Sequence, residues 1–157
     1  MRLTLISALF WFLLDQISKT WILYGLNIAE RGEIAVLPPY LQFRLGWNTG
    51  INFGLFAGNG DTARWVLIAL AVIVSGWVLW WAKTGLTRKI ALISAGAIVG
   101  GALANALDRF IYGAVVDFLN MACCGYSNPY TFNLADVGIF AGAAGLLIFA
   151  DAEKKTP

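Results

Sequence analysis

Residues 89–120 read KIALISAGAIVGGALANALDRFIYGAVVDFLN, and this stretch decides the fold class. No residue between Lys89 and Asp108 is charged, so the run is long enough to cross the roughly 30 Å hydrocarbon core of a bilayer. Its many Gly and Ala residues favour close approach of neighbouring helices. We therefore predict a central transmembrane helix over about residues 89–107, followed by a polar segment that carries aspartates.

The rest of the chain has the composition of a membrane protein. Of its 157 residues, 59% are hydrophobic and 13% are charged, whereas a soluble domain carries about 25% charged residues. Three further apolar runs predict spans over about residues 3–24, 64–82 and 132–150. The predicted fold is a mainly α membrane protein, a four-transmembrane-helix bundle that forms a single domain over residues 1–157.

Basic residues predict how the bundle is oriented. In short loops, Lys and Arg favour the cytoplasmic side of a membrane. With four spans, all of the basic clusters at the span ends lie on one side, so we expect both termini to be cytoplasmic. The residues concerned are Arg2, Lys83, Arg88, Lys89, Lys154 and Lys155.

The segment between the first and second spans contains a strand pattern. Leu41, Phe43 and Leu45 alternate with Gln42 and Arg44, which is the period of a half-buried strand. We expect a small extracytoplasmic β-sheet cradle on the outer membrane surface, with its apolar face toward lipid or substrate. A disordered loop is the alternative, and the hydrophobicity of the segment disfavours it.

Several kinds of chemistry are excluded by composition. The chain has no histidine, and its only cysteines are the adjacent pair Cys123 and Cys124, so no zinc site of ordinary spacing and no Ser-His or Cys-His catalyst is available. The net charge of +2, without a clustered basic stripe, excludes a nucleic-acid partner. We expect no metal and no cofactor. The two cysteines are interpreted as loop packing, with a strained redox-sensitive pair as the alternative.

Asp15 and Lys19 lie one helical turn apart within the first predicted span. One interpretation is an i,i+4 ion pair that lowers the cost of inserting both charges into the membrane. The other is a structural support that faces the bundle interior, because ionisable groups within membranes usually face inward. Neither interpretation makes Asp15 a catalyst.

Residues 48–54 read NTGINFG and follow the predicted strand. Asn and Gly close together are typical of a turn, as Gly50 illustrates. The alternative is functional, because Asn48 at the end of a strand near the membrane could present its side-chain amide to a substrate backbone.

The polar end of the third span combines several candidate residues. Asn105 and Arg109 share one helix face at i,i+4. Asp108 and Arg109 are interpreted as an interfacial cap or as part of a site. Asp117 has only apolar neighbours in sequence, and such a setting raises the pKa of a carboxyl group by desolvation.

A second aspartate opens the fourth span. Asp136 follows Asn133, and the two residues could form a helix N-cap. However, the predicted topology places Asp136 and Asp117 on the same side of the membrane at similar depth. Two such carboxyl groups share one proton, as in aspartic proteases.

The ionised member of such a pair activates water, and the protonated member donates to the scissile carbonyl. Ser-Lys pairs are the alternative catalyst, but Ser18 with Lys19 and Ser94 with Lys89 lie within spans or at their cytoplasmic ends.

Four ordered blocks in this sequence resemble the lipoprotein signal peptidases, or signal peptidase II, of bacterial inner membranes. The blocks are residues 15–19, 48–54, 100–118 and 132–136, and the resemblance they carry extends over nearly the whole chain. The resemblance implies a four-helix aspartic endopeptidase without a cofactor, active toward the periplasmic face, that cleaves diacylglyceryl-modified prolipoproteins before the lipidated cysteine. It implies that Asp117 and Asp136 are catalytic. The residues that it implies shape and polarise the site are Asp15, Lys19, Asn48, Gly50, Asn105, Asp108, Arg109 and Asn133.

Two positions depart from the family pattern. Asn52 stands where the family commonly has Ala, and Ala104 stands where it commonly has Gly. Both departures concern substrate fit or helix spacing more than chemistry.

Two functions of other classes remain as alternatives. A proton- or ion-coupled membrane transporter would use Asp15, Asp108 and Asp117 as a relay across the membrane. A noncatalytic assembly subunit would tolerate replacement of its aspartates.

Overall fold

The computed structural model describes residues 1–50, 60–123 and 128–150. Within them the chain is mainly helical and carries one small sheet. A π-helical turn, Trp21–Gly25, continues the first helix. The bounds are α1 Arg2–Thr20, α2 Ile28–Arg31, β1 Glu33–Leu37, β2 Leu41–Asn48, α3 Gly60–Thr84, α4 Lys89–Tyr112, β3 Val115–Met121 and α5 Leu134–Phe149.

Helix α4 lies at the centre and contacts α1, α3 and α5. Its glycines make this possible. A Cβ atom on Gly96 would collide with the carbonyl oxygen of Thr4 in α1, and one on Gly100 would collide with that of Ala8. Because glycine has no Cβ, the two backbones approach closely, which is how helices pack without a hydrophobic driving force in lipid.

Two helices in the described residues are long and apolar enough to cross a membrane, Asp61–Thr84 and Lys89–Tyr112. Helix α5 is also apolar but has 16 residues. Helix α1 contains the buried charges of Asp15 and Lys19. The mainly α fold with a small sheet is thus confirmed, while the number of spans stays a prediction.

The bounds of the central helix differ from those predicted. Helix α4 continues through Asp108 and Arg109 to Tyr112 instead of ending near residue 107. It ends where Gly113 adopts a φ of 81°, in the left-handed region, and donates its N–H to the Arg109 carbonyl. Asp108 and Arg109 therefore belong to the last turns of the helix.

The sheet is antiparallel, with the order β1-β2-β3. The strand predicted from the alternation of residues 41–45 is confirmed as β2, which continues to Asn48, although its first six residues are all partly buried. Strands β1 and β3 were not predicted. Apolar and polar residues do not alternate along β3, because nearly all residues on both faces of this strand are buried. In the register of the sheet, Gly46 of β2 lies opposite Asp117 of β3.

A small core lies against the sheet. Phe43 and Leu45 pack against a buried cluster formed by Ile22, Ile28 and Phe118. The prediction that this apolar face is directed toward lipid or substrate is therefore wrong for Phe43 and Leu45. The π-helical turn and α2 cover it, and this packing holds β3 in place.

Candidate active site

Asp117 lies in the middle of β3 and is almost completely buried. Its two carboxylate oxygens accept hydrogen bonds from different elements. Asn48 Nδ2, at the end of β2, donates to Oδ2 at 3.1 Å, and Asn133 Nδ2 donates to Oδ1 at 2.6 Å. The strand and two amide groups thus fix the orientation of the carboxyl group.

Asp136 lies in the first turn of α5 and is half-buried. It forms a capping box with Asn133, in which Asn133 N donates to Asp136 Oδ2 at 3.2 Å and Asp136 N donates to Asn133 Oδ1 at 2.9 Å. The second oxygen, Oδ1, accepts from Asn105 Nδ2 at 3.0 Å. The N-cap interpretation is therefore correct, and one carboxylate oxygen still points to the centre of the bundle.

Asn133 connects the two aspartates through a single side chain. Its Oδ1 caps Asp136, and its Nδ2 donates to Asp117 Oδ1 and, at 3.1 Å, to Asn105 Oδ1. The side chain is completely buried. One amide group therefore brings Asp117 of the sheet and Asp136 of the bundle into one site.

The environment of Asp117 raises its pKa from 3.8 to about 6. Burial is the main cause, because it disfavours the charged carboxylate, and the nearby charge of Asp136 adds to it. Hydrogen bonds from Asn48 and Asn133 act in the opposite direction. A carboxyl group with such a pKa gains and loses a proton close to neutral pH, which suits acid-base chemistry.

The raised pKa predicts a pH dependence of stability. Between pH 3.8 and about 6 the folded protein binds a proton that the unfolded chain releases, so the contribution of Asp117 to stability is lost as the pH rises through about 6. From pH 5 to pH 8, wild type should lose about 1 kcal/mol of unfolding free energy relative to Asp117→Asn. Denaturant titrations of both proteins at the two pH values measure the difference. A difference that does not change with pH contradicts the prediction.

Lys19 is the centre of a buried ionic network beside the aspartates. Its Nζ lies 2.6 Å from Asp15 Oδ2 and 2.7 Å from Asp108 Oδ2, and it donates to Asn105 Oδ1 at 3.0 Å. The i,i+4 ion pair of Asp15 and Lys19 therefore forms, and it faces the interior of the protein. Asp15 Oδ1 also accepts the N–H of Ala135, which ties α1 to the start of α5.

Asp108 connects this network to the sheet. Its Oδ2 accepts the N–H of Val116, the residue before Asp117, at 3.0 Å. Its Oδ1 accepts from Gln16 Nε2 at 2.8 Å. Sequence reasoning missed Gln16, although it lies three residues before Lys19 and so on the same face of α1. Asp108 therefore positions β3 and does not act only as a cap.

Gly50 and Arg109 complete the set of predicted site residues. Gly50 has a φ of 76° and donates its N–H to Asn48 Oδ1, so the predicted turn is present. A Cβ on Gly50 would lie 2.6 Å from Leu67 and 3.6 Å from Arg109 Nη2, so the position favours glycine by conformation and by space. Arg109 Nη1 donates to the Asn105 carbonyl at 3.3 Å.

A cleft of about 170 Å³ opens beside Asp117. Strand β2 contributes Gly46, Trp47 and Asn48 to the lining of the cleft, and the segment before α5 contributes Pro129, Tyr130 and Thr131.

Within the described residues, no group of three His, Cys, Asp or Glu side chains is arranged to hold a metal ion. Of the other residues singled out in the sequence, Ala104 is buried in α4, while Asn52 and Cys124 lie outside the described residues.

Comparisons with known proteins agree with this architecture. A family model described as Signal peptidase (SPase) II matches residues 7–151. The chain is 43% identical over 150 residues to a lipoprotein signal peptidase of Rhodopseudomonas palustris (strain ATCC BAA-98 / CGA009), covering 93% of this chain and 90% of the relative. A lipoprotein signal peptidase of Nitrobacter hamburgensis (strain DSM 10229 / NCIMB 13809 / X14) is 38% identical over 163 residues, covering 100% and 95%.

The fold also matches a solved structure described as a bacterial membrane enzyme, at 1.9 Å resolution. The TM-score is 0.80 at 23% sequence identity, covering 98% of this chain and 94% of that one. This likeness shows the fold, and the family model and the relatives define the class as a signal peptidase. The chain belongs to the signal peptidase II family, and it is a protease, as the resemblance implied.

Proposed function

We propose that this protease removes signal peptides from diacylglyceryl-modified prolipoproteins by cleaving before the lipidated cysteine, and that Asp117 and Asp136 are its catalytic pair. The observation that carries the proposal is the buried side chain of Asn133. It binds Asp117 through Nδ2 and Asp136 through Oδ1, so that two carboxyl groups belong to one site beside a cleft.

The two aspartates would divide the chemistry between them. The ionised carboxylate removes a proton from a water molecule while the water oxygen attacks the scissile carbonyl carbon. The protonated carboxyl group donates to the carbonyl oxygen. When the tetrahedral intermediate breaks down, the carboxyl group that took the proton from water donates it to the leaving nitrogen as the C–N bond cleaves. A hydroxyl of the intermediate returns its proton to the other carboxylate, so that the pair again holds one proton.

The other polar residues hold the pair in this state. Amide donors from Asn48, Asn105 and Asn133 reach the carboxylate oxygens of the pair. Because these donors are fixed by the fold, they need no reorganisation during the reaction. Lys19 carries a positive charge into the network through its contact with Asn105. Their proposed role is to shape and polarise the site.

The proposed topology has four spans, formed by α1, α3, α4 and α5, in the inner membrane. Three basic residues lie where α3 ends and α4 begins, namely Lys83 in the last turn of α3, the N-cap Arg88 and Lys89 at the start of α4. The site lies at the opposite end of α4. Because basic loops favour the cytoplasm, both termini would be cytoplasmic and the site would face the periplasm with the sheet as its cradle.

A lipidated substrate suits this location. The signal-peptide helix and two acyl chains already reside in the bilayer, so they would enter sideways between helices while water reaches the aspartates from the periplasm. Membrane lipids would surround the same exposed apolar helix faces, which on α3 include Leu70, Ile73 and Trp77.

Dependence on the lipid tests the substrate assignment. Purified protein in detergent micelles would be incubated with one prolipoprotein in two forms, with and without the diacylglyceryl group on its cysteine. We expect kcat/KM to be at least about a hundredfold lower for the unmodified form, because each buried CH₂ contributes about 0.8 kcal/mol to binding. Mass spectrometry locates the cut. Equal cleavage of both forms, or a cut elsewhere, would sink the assignment.

A further inference from the structure

The side chain of Asn120 is completely buried in β3, three residues after Asp117, and the proposed chemistry does not use it. Its Nδ2 donates twice, to the carbonyl oxygens of Asn128 at 2.8 Å and Tyr130 at 2.7 Å. Its Oδ1 accepts from Gln42 Nε2 at 3.0 Å. The whole amide group is thus engaged, with both N–H donors directed to one short segment, residues 128–131.

Segment 128–131 forms one side of the Asp117 cleft, to which Pro129, Tyr130 and Thr131 contribute. Its backbone pairs with no other backbone group of the described residues, and backbone–backbone hydrogen bonding to β3 begins only at Phe132. The segment is therefore held mainly by side chains. Because the segment has no backbone pairing with a strand, side-chain hydrogen bonds to its backbone fix its conformation.

Other contacts support the same segment. Asn128 Nδ2 donates to the carbonyl oxygen of Met121, at the end of β3, at 3.0 Å. Arg44 Nη2 donates to the Pro129 carbonyl at 2.6 Å. Gly46, opposite Asp117 in the sheet, leaves room for Thr131, whose side chain a Cβ at this position would meet. Asn120 is the buried anchor, and Arg44 is the more exposed one.

We propose that Asn120 is a positioning residue that fixes segment 128–131 as a wall of the Asp117 cleft, and that this wall limits the size of the substrate residue next to the scissile bond. The inference rests on the proposed function. Because the residue after the cut is the lipidated cysteine, the variable neighbour is the residue before it. A fixed wall beside Asp117 discriminates at this position by excluding large side chains.

The chemistry of the contact favours asparagine. Two carbonyl oxygens face Nδ2, so the position requires a double donor. Leucine has a similar shape but no donor, so Asn120→Leu would remove both hydrogen bonds from this side chain to the segment while preserving the volume of the core. The bond from Asn128 Nδ2 to the Met121 carbonyl, at the end of β3, would remain.

The test compares two lipidated prolipoproteins that differ only in Ala or Leu before the cysteine. The preference for Ala is kcat/KM for the Ala substrate divided by kcat/KM for the Leu substrate. We expect Asn120→Leu to lower this ratio about tenfold, and we expect the change to lie in KM. A merely structural loss would reduce the fraction of active enzyme, which lowers kcat for both substrates and leaves the ratio unchanged. The ratio therefore separates positioning from general destabilisation.

Gln42→Met is the matched control, because it removes a hydrogen bond from the same Asn120 without touching segment 128–131. Its ratio should stay within about twofold of wild type. Arg44→Met is the second test variant, and since Arg44 is only partly buried the protein should fold. Its ratio should fall by about threefold, in the same direction as for Asn120→Leu.

An unchanged ratio in a folded Asn120→Leu protein overturns the proposal. Should that variant fail to fold, the ratio for Arg44→Met decides alone, and an unchanged value overturns it. If the wild-type protein cleaves neither substrate, the proposed function itself fails, which distinguishes the two failures.

Discussion

Replacing Asp117 or Asp136 with Asn is expected to abolish cleavage of a lipidated prolipoprotein. Each variant loses a group that must either take a proton from water or give one to the scissile carbonyl, so kcat should fall on the order of 10³- to 10⁴-fold. The two losses should not add in the double variant, because the carboxyl groups act as a unit. Single-turnover cleavage of a purified lipidated substrate measures the effect.

The matched control is Asp61→Asn, the same chemical change at an exposed aspartate in the first turn of α3. It should retain wild-type kcat. The Asn side chain keeps the shape of Asp and still accepts one of the hydrogen bonds, so the variants at Asp117 and Asp136 should remain folded. Full cleavage by either folded variant would show that these aspartates are not the catalytic pair.

Lys19→Met is expected to destabilise the fold more than any other single loss of charge in the described residues. Lys19 is buried, and its Nζ contacts the buried carboxylates of Asp15 and Asp108. Removing the cation leaves both carboxylates without their ionic partner, and breaking a buried pair typically costs about 3–5 kcal/mol. Unfolding with sodium dodecyl sulfate in detergent micelles measures the free energy.

Lys83→Met is the control for this change, because Lys83 is exposed in the last turn of α3. Its free energy of unfolding should stay within about 0.5 kcal/mol of wild type. Breaking a buried ion pair typically costs several kcal/mol. If Lys19→Met lowers the free energy of unfolding by less than about 1 kcal/mol, the network is not a major source of stability.

The two sets of residues serve different purposes in one polar core. Asp15, Lys19 and Asp108 tie α1 and α4 to the start of α5 and to β3. Asn105 and Asn133 connect this support to the aspartates. We therefore expect variants at Lys19 to lose stability and variants at Asp117 and Asp136 to lose catalytic activity.

Much of the site was predictable because its residue types are unusual in their surroundings. A charged residue in an apolar run is costly, and so Asp15, Lys19 and Asp117 stand out in the sequence. The grouping of Asn133 with Asp136 was also visible as a helix N-cap pattern. Gln16 and Asn120 were not predicted, because a single uncharged polar residue carries no local mark of what it contacts.

Composition and periodicity are local properties, and they were enough to predict the membrane class, the positions of the long helices within a few residues and the available chemistry. The strand identity of β3, the role of Asn133 as the link between the aspartates and the covering of the sheet's apolar face depend on long-range packing. The contact of Asp15 with Ala135 joins residues 120 positions apart. Such contacts depend on how closely the glycine-rich faces of α4 and α5 pack against α1 and against each other, and no local pattern records that distance.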